Sequence, residues 1–421
     1  VAKIVKDRQF YKFCAYGFLK NLRFFDPFIV LFFREMGLTF LEIGILFSIR
    51  EVSTNILEIP TGIIADSYGR RKSMIFSFLA YIVSFLIFYF LPKFSIYAIA
   101  MIFFALGEAF RTGTHKAMIL DYLKRNKMED TKVYYYGRTR ACSKLGSAFS
   151  SIIAATLVFY TGSYKVVFLA SVIPYVMELF LMLSYPGYLD GIMAREKKTS
   201  ILENLFRNIK TTLGDFINIF RDRYVLVALF NSSSFDAIFK TVKDYLQPIL
   251  KIYTLSIPLL LFLSENQRTS ILTGVVYFLL FILTSLASTM SGSFSARFTR
   301  LSRAINITFL SGGVLILLAG IALRFSFFAI AIILFILLYM LQNVRRPMNV
   351  GLISDLISNR IMATGLSGES QVKTILVAVF SPVMGLIADR FGLSNALIFF
   401  GLLFFILYPI LFVRERKATV T

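Results

Sequence analysis

Long apolar runs alternate with short polar stretches from one end of this chain to the other. Each run holds about 20 residues or more, enough for a helix to cross a hydrocarbon layer about 30 Å thick. In hydrocarbon every backbone N–H and C=O must be satisfied internally, so a crossing segment is a helix or part of a closed barrel. Barrel strands would alternate apolar and polar positions over about 10 residues, and these runs do not. The pattern therefore predicts an all-α membrane protein with twelve transmembrane helices, at 9–35, 40–64, 72–92, 94–123, 136–160, 163–185, 224–252, 269–293, 303–323, 326–356, 362–386 and 393–413. The first run carries Arg23 and Asp26 and has no small-residue cleavage site, so it reads as a span and not as a cleaved signal.

Composition agrees. The 421 residues are 57% hydrophobic and only 16% charged, where a soluble domain would carry about a quarter charged residues. The net charge of +21 would suit a nucleic-acid partner if it were gathered on a soluble domain. It is spread instead over alternate loops. Of the 45 Lys and Arg, roughly 27 fall in one set of loops and tails and about 7 in the other, which puts both termini in the cytoplasm. The longest loop, 186–222, contains ILENLFRNIKTTLGDFINIF and reads as an amphipathic segment on the inner membrane face or as an ordinary linker helix. It separates an N-terminal six-helix bundle, 1–185, from a C-terminal one, 223–421. Two cysteines, Cys14 and Cys142, give no disulfide framework, and the single histidine, His115, excludes a multi-histidine metal site.

The two bundles repeat each other. Asn21, Phe25 and Asp26 match Asn231, Phe235 and Asp236, while Gly44, Gly62 and Arg70 match Gly274, Gly292 and Arg300. Arg111 and Asp121 match Arg345 and Asp355, and Lys144 and Gly162 match Lys373 and Gly392. The four sets keep chain order with little drift in offset. This is the signature of two six-helix halves related by an axis along the membrane normal, with a site between the halves near the midplane.

Between the second and third spans stands GIIADSYGRRK, residues 62–72. It resembles the signature loop of the major facilitator superfamily, Gly-x-x-x-Asp-x-x-Gly-Arg-Arg/Lys, at Gly62, Asp66, Gly69, Arg70 and Arg71. Gly62 would permit close helix approach, Gly69 the turn, and Asp66 would accept charge-assisted bonds from neighbouring helix ends and Arg70. The resemblance implies the superfamily fold and a gating role for this cluster, latching the halves in the outward-open state. The second-half copy, GSFSARFTR at 292–300, has Ala296 where Asp66 would align, so the latch should be asymmetric. The string GLIADRFG at 385–392 falls on the outer side and is not expected to latch. LEIPTGIIAD and GEAFRTGTHKAMILDYL resemble a drug-efflux-like branch, although the fifth span lacks that branch's Gly-Pro signature.

Ionisable residues inside a span are costly and mark candidate sites. Glu108, Arg111 and His115 share a face of the fourth span. The expected solute contacts are Asn21, Asp26, Arg111, His115, Lys144, Asp236, Arg345 and Lys373. Some of these have a plain structural reading: Arg23 with Asp26, Asp236 with Lys240, and Glu369 with Lys373 stand at spacings that allow local pairing. Asp26, Asp236, Glu58 and Glu108 are the candidates for carrying a coupling proton. Asp121 and Asp355 sit at cytoplasmic helix ends and are expected to gate. Neutralising Glu178 is expected to weaken solute binding much less than neutralising Arg111 or Lys144.

The function expected is secondary active transport of a small organic solute, driven by a proton or other ion. No GxxxxGK[ST] motif suggests direct use of ATP, and HExxH and GxSxG are missing, so no enzyme and no cofactor is expected. The branch resemblance favours export of amphiphiles. The basic interior favours a solute with a negative charge, with Arg111 and Lys144 as contacts, and keeps uptake or exchange of an anionic or zwitterionic metabolite open. A transport-dead sensor or a lipid scramblase is the alternative from another class. A monomer in a prokaryotic plasma membrane, surrounded by lipid and without a nucleic-acid partner, completes the expectation. In a Cys-free background, Ser163→Cys and Ser326→Cys should react with an impermeant thiol reagent added outside sealed cells. Thr199→Cys should not, and its labelling from outside would overturn the orientation.

Overall fold

The structure is a computed structural model that describes residues 6–190, 222–357 and 362–414. The amphipathic stretch expected in the long loop lies outside the described residues, apart from a short 3-10 turn at Gly187–Asp190. The described residues form helices with no strands. In chain order these are α1 (Arg8–Leu19), α2 (Ile29–Glu35), α3 (Phe40–Tyr68), α4 (Arg70–Phe90), α5 (Phe94–Arg111), α6 (Thr114–Arg125), α7 (Lys132–Thr161) and α8 (Val166–Leu183). They continue as α9 (Arg223–Val242), α10 (Leu246–Ser256), α11 (Glu265–Thr289), α12 (Ser291–Ser295), α13 (Leu301–Arg324), α14 (Phe328–Leu356), α15 (Met362–Phe391) and α16 (Leu393–Leu407).

Among the described residues nine helical stretches are long and apolar enough to cross a membrane, and they coincide with nine of the twelve expected spans. The other three differ for visible reasons. The first span is not one helix but two, α1 and α2, with residues 20–28 unwound between them. Pro27 has no N–H to give a helix and disfavours helical geometry at Asp26. The second span, α3, is 29 residues long but carries Glu42, Arg50, Glu51, Glu58 and Asp66. The last, α16, has 15 residues. The fourth span is also broken, at Thr112–Gly113. Gly113 has φ +75°, a conformation that only glycine adopts without strain.

The chain packs as two compact units. The first comprises Val1–Met36, Ile49–Phe206 and Leu260–Phe281, and the second Gly37–Ser48, Arg207–Leu259 and Ile282–Thr421. Each unit therefore takes one segment from beyond the expected boundary at 186–222. In the second unit the start of α3 rests on α15, where the Asp389 carboxylate accepts from the Phe40 and Leu41 amides at 3.0 and 2.8 Å. Two orphan donors of a helix N-terminus are thus capped by an anion. In the first unit the start of α11 rests on the end of α7, with Gln267 Nε2 donating to the Phe159 carbonyl at 3.0 Å and Asn266 Nδ2 to the Gly162 carbonyl at 2.8 Å.

Inside each unit the same pairings recur. α4 packs on α5 and α8, and α1 on α7. In the second unit α13 packs on α14 and α16, and α9 on α15. Numbered as spans, these are 3 with 4 and 6, and 1 with 5, then 9 with 10 and 12, and 7 with 11. The repeat seen in the sequence is a repeat of packing. The core of the first unit is aromatic: Phe25, Phe85, Phe88 and Phe168 are buried and meet ring to ring.

The α1–α7 crossing is close enough to need glycine. A Cβ on Gly146 would sit 2.3 Å from the Phe18 carbonyl oxygen, and one on Gly17 2.6 Å from that of Thr139. Small residues let backbones approach in this way, and dispersion then holds the helices together. Gly146→Leu should cost about 1–3 kcal/mol through overpacking and lower the thermal unfolding midpoint in detergent. Gly137→Ala, where a Cβ meets nothing within 4 Å, should leave the midpoint unchanged or raise it. Equal midpoints for the two variants would refute the close crossing.

Candidate functional site

Two helix breaks and one helix frame a cavity of about 760 Å³ in the first unit. Its walls come from the end of α1 (Tyr16, Gly17, Lys20), the break of the fourth span (Arg111, Thr112, Gly113), the start of α6 (His115, Lys116, Ile119, Leu120) and the first turns of α7 (Lys132, Tyr136, Thr139, Arg140, Ser143). Unwound backbone inside a membrane protein persists where it is buried in protein or lines a cavity. The break at Gly113 also leaves the first amides of α6 without helical partners.

The lining holds five cations, Lys20, Arg111, Lys116, Lys132 and Arg140, together with His115. Among the described residues it holds no Asp or Glu. Lys116, Lys132 and Arg140 are exposed, whereas Lys20 and Arg111 are partly buried. Lys20 Nζ stands 5.5 Å from the centre of the Tyr16 ring, and Lys116 Nζ 5.8 Å from that of Tyr136, both in cation–π range. Tyr16, Tyr136, Ile119 and Leu120 supply apolar wall between the charges.

Behind the cavity Arg111 is anchored. Its Nη2 donates to Glu108 Oε2 at 2.8 Å and its Nε to Tyr81 Oη at 3.3 Å. The other Glu108 oxygen accepts from Arg23, so Glu108 is shared by two guanidinium groups. Arg23, expected to pair locally with Asp26, thus also reaches a carboxylate 85 residues away. On α8, Glu178 is fully buried, and among the described residues neither of its carboxylate oxygens has a hydrogen-bond partner. Its electrostatic neighbours are Arg111 and Lys20. The residue expected to matter less for binding therefore adjoins two of the cavity's cations.

Of the other expected contacts, His115 is 8% exposed. Its ring stacks on Tyr16 with centroids 3.5 Å apart, and Nε2 lies 3.1 Å from Tyr185 Oη, so it serves as packed wall. Asn21 donates to the Gly17 carbonyl at 2.8 Å and helps to close the end of α1. Asp26 lies in the unwound segment, and Lys144 and Glu58 are half-buried on α7 and α3. Neither Asp26 nor Lys144 lines the cavity.

In the second unit Asp236 accepts from Gln342 Nε2 at 2.7 Å. Glu369 accepts from Ser232, and Lys373 lies half-buried one turn further along α15. Arg345, expected to match Arg111 as a solute contact, is 0% exposed. It donates to Asn231, to the Ile305 carbonyl and to Thr308 at 2.6 Å, and its guanidinium lies 4.5 Å from the Phe235 ring centre. It is a tie between α9, α13 and α14, with no face left for a ligand. Lys20, Lys132 and Arg140 were not expected. For Lys20 the signal was present, because Tyr16, Lys20 and Arg23 follow helical spacing into a segment that ends at a proline.

The model of the Major Facilitator Superfamily matches residues 13–368 of this chain. The chain belongs to the major facilitator superfamily. An uncharacterized MFS-type transporter, YxaM of Bacillus subtilis (strain 168), is 24% identical over 247 residues, which cover 57% of this chain and 58% of YxaM. The matched region thus spans less than two thirds of that relative. Among solved structures the chain is similar to the nucleoside transporter NupG, with TM-score 0.71, 12% identity and coverage of 96% of this chain and 97% of NupG. It is also similar to the peptide transporter POT in complex with sulfate, with TM-score 0.70, 12% identity and coverage of 96% and 94%. A POT family transporter in complex with a thioalcohol-conjugated peptide gives TM-score 0.69 at 14% identity, with the same coverage. At such identities the likeness is one of fold. The protein is an integral, multi-pass membrane protein of this superfamily.

The superfamily loop is held at its far end. Gly69 has φ +106°, and a Cβ there would lie 2.9 Å from Asp190 Oδ1. The same oxygen accepts from the Arg71 amide at 2.9 Å, and Arg71 Nη1 donates to the Tyr185 carbonyl at 2.9 Å. Arg70 pairs with Asp121 on α6 and lies 3.8 Å from Asp66. The Asp66 side chain is 62% exposed, and a Cβ on Gly62 would meet nothing within 4 Å. The close approach expected at Gly62 is not made. Asp355 is exposed on the last turn of α14. For Arg345 the expected outcome is structural. Arg345→Lys should cost about 1–3 kcal/mol by leaving buried acceptors unpaired, read as a lower unfolding midpoint in detergent. An unchanged midpoint would mean that the guanidinium holds nothing together.

Proposed function

We propose that this protein is a secondary transporter that moves a small organic solute bearing at least one negative charge, by alternating access, and that the basic cavity of the first unit receives it. The observation that carries this reading is the cavity's lining: five cations and no carboxylate around about 760 Å³. Arg111 is already paired with Glu108, and Lys116, Lys132 and Arg140 are exposed. A lining of one charge sign still draws the opposite sign into the space that it surrounds. The tyrosines, Ile119 and Leu120 add room for an organic body, as in ordinary small-molecule pockets. Membership of the superfamily and likeness in fold to nucleoside and peptide transporters support transport as the activity. The lining favours an anionic solute over the lipophilic cations that a drug-efflux reading would suggest.

The loop at 62–72 serves as the moving joint in this proposal. Arg70–Asp121 and Arg71–Asp190 tie it to α6 and to the turn after α8, so it moves with the first unit. Asp66, exposed and only 3.8 Å from Arg70, can exchange that contact for another in a different state. The basic loops and both termini lie on the cytoplasmic side of a prokaryotic plasma membrane, following the charge bias.

A thermal-shift screen followed by flux into proteoliposomes tests the reading. Small di- and trianionic metabolites should raise the unfolding midpoint of the wild-type protein and be transported. Arg111→Gln and Lys20→Gln should each weaken that binding about 10- to 100-fold, the loss expected for a charge-assisted hydrogen bond. Stabilisation by lipophilic cations alone, unaffected by Arg111→Gln, would overturn the proposal.

A further inference from the structure

Both oxygens of Glu178 are buried without a hydrogen-bond partner. A carboxylate in such a place is among the costliest groups a protein can hold, unless it is neutralised by a cation or by a proton. Two cations are at hand, and both also line the cavity: Lys20 at the end of α1 and Arg111 at the end of α5. The other titratable groups around Glu178 are Tyr16 of α1 and Tyr185 beyond the end of α8. His115 of α6 stacks on the first and bonds the second. From α4, Tyr81 packs on Tyr175, one turn before Glu178. Glu108 does not compete for the role, since both its oxygens already accept from Arg23 and Arg111.

Lys20 and Arg111 thus stand between two sites that each want a positive charge. We propose that Glu178 is the proton-carrying residue of this transporter, taking a proton when an anion occupies the basic cavity and releasing it when the anion leaves. The inference rests on the anionic-solute reading above. With the cavity empty, the two cations balance an ionised Glu178. With an anion bound, they balance the anion, and the carboxylate left behind takes a proton from water. Linkage makes the effect reciprocal: if the anion promotes protonation, the proton promotes anion binding by the same factor. Proton and solute therefore cross in the same direction, and no direct contact between them is required. This differs from the carriers read from the sequence, Asp26, Asp236, Glu58 and Glu108, none of which lines the cavity.

Sulfate is a suitable probe because it keeps its charge throughout the range tested. Purified protein in weakly buffered detergent solution would be titrated with sodium sulfate while a pH dye reports proton uptake. About one proton should be taken up per sulfate bound. Affinity should fall as pH rises, by up to about tenfold per unit where Glu178 exchanges its proton. Glu178→Gln, locked neutral, should bind sulfate with no proton uptake and an affinity independent of pH. Sulfate binding by the wild type without proton uptake would overturn the inference while leaving the anion cavity standing. Uptake that persists in Glu178→Gln would do the same. Failure of the wild type to bind sulfate at any pH would overturn the anion cavity, and the inference with it.

Discussion

A charge inside a hydrocarbon-embedded bundle must be answered by another charge or by polar acceptors, and in the first unit the answering group is Glu108. Its carboxylate joins Arg23, which stands in the unwound middle of the first span, to Arg111, which stands at the break of the fourth. The two guanidinium groups exceed the one carboxylate by a single positive charge. The contact also holds the two interrupted spans side by side, so the helix ends that they expose open onto one cavity. Breaking a buried pair by removing one partner is far costlier than forming it is rewarding. For that reason the arrangement of both breaks depends on this one carboxylate.

The second unit repeats the packing but not the chemistry. Arg345 is the sequence counterpart of Arg111, and α14 packs on α13 as α5 packs on α4. Yet Arg345 donates to neutral acceptors, Asn231, Thr308 and a backbone carbonyl, and lies against the ring of Phe235. Asn21, the counterpart of Asn231, instead turns back on its own helix and leaves Arg111 to seek a carboxylate. The same residue at the same point of a repeat is thus a tie in one unit and a cavity wall in the other. Functional asymmetry in this protein arises from the partners of the arginine and not from the arginine.

Lys20 and Arg111 connect the proposed solute site to Glu178. They are limited in number and face two sites, so they turn binding at one into a change of charge at the other without any moving part. The superfamily loop performs a different task. With Gly69 and Arg71 fixed on Asp190 and Arg70 on Asp121, it is built into the first unit and exposes Asp66. Asp389, in the similar string at 385–392, is already engaged, capping the start of α3 within the second unit.

Nine of the expected span positions, the parallel repeat and the signature loop were legible in the sequence because hydropathy, offset and motif spacing are properties of residues in chain order. Arg111 was legible as a candidate because a cation in a span is costly wherever it points. The breaks were written there too, in Pro27 and Gly113, but a long hydropathy window reads across them. Other features waited for the tertiary structure. That Glu178 adjoins Lys20 and Arg111, that Arg23 reaches Glu108, and that Arg345 faces no open space all depend on helix rotation and on which helices meet. Those choices follow from close packing, glycine at the α1–α7 crossing and ring against ring in the core. Packing compares residues a hundred positions apart, whereas sequence periodicity compares only those within a few turns.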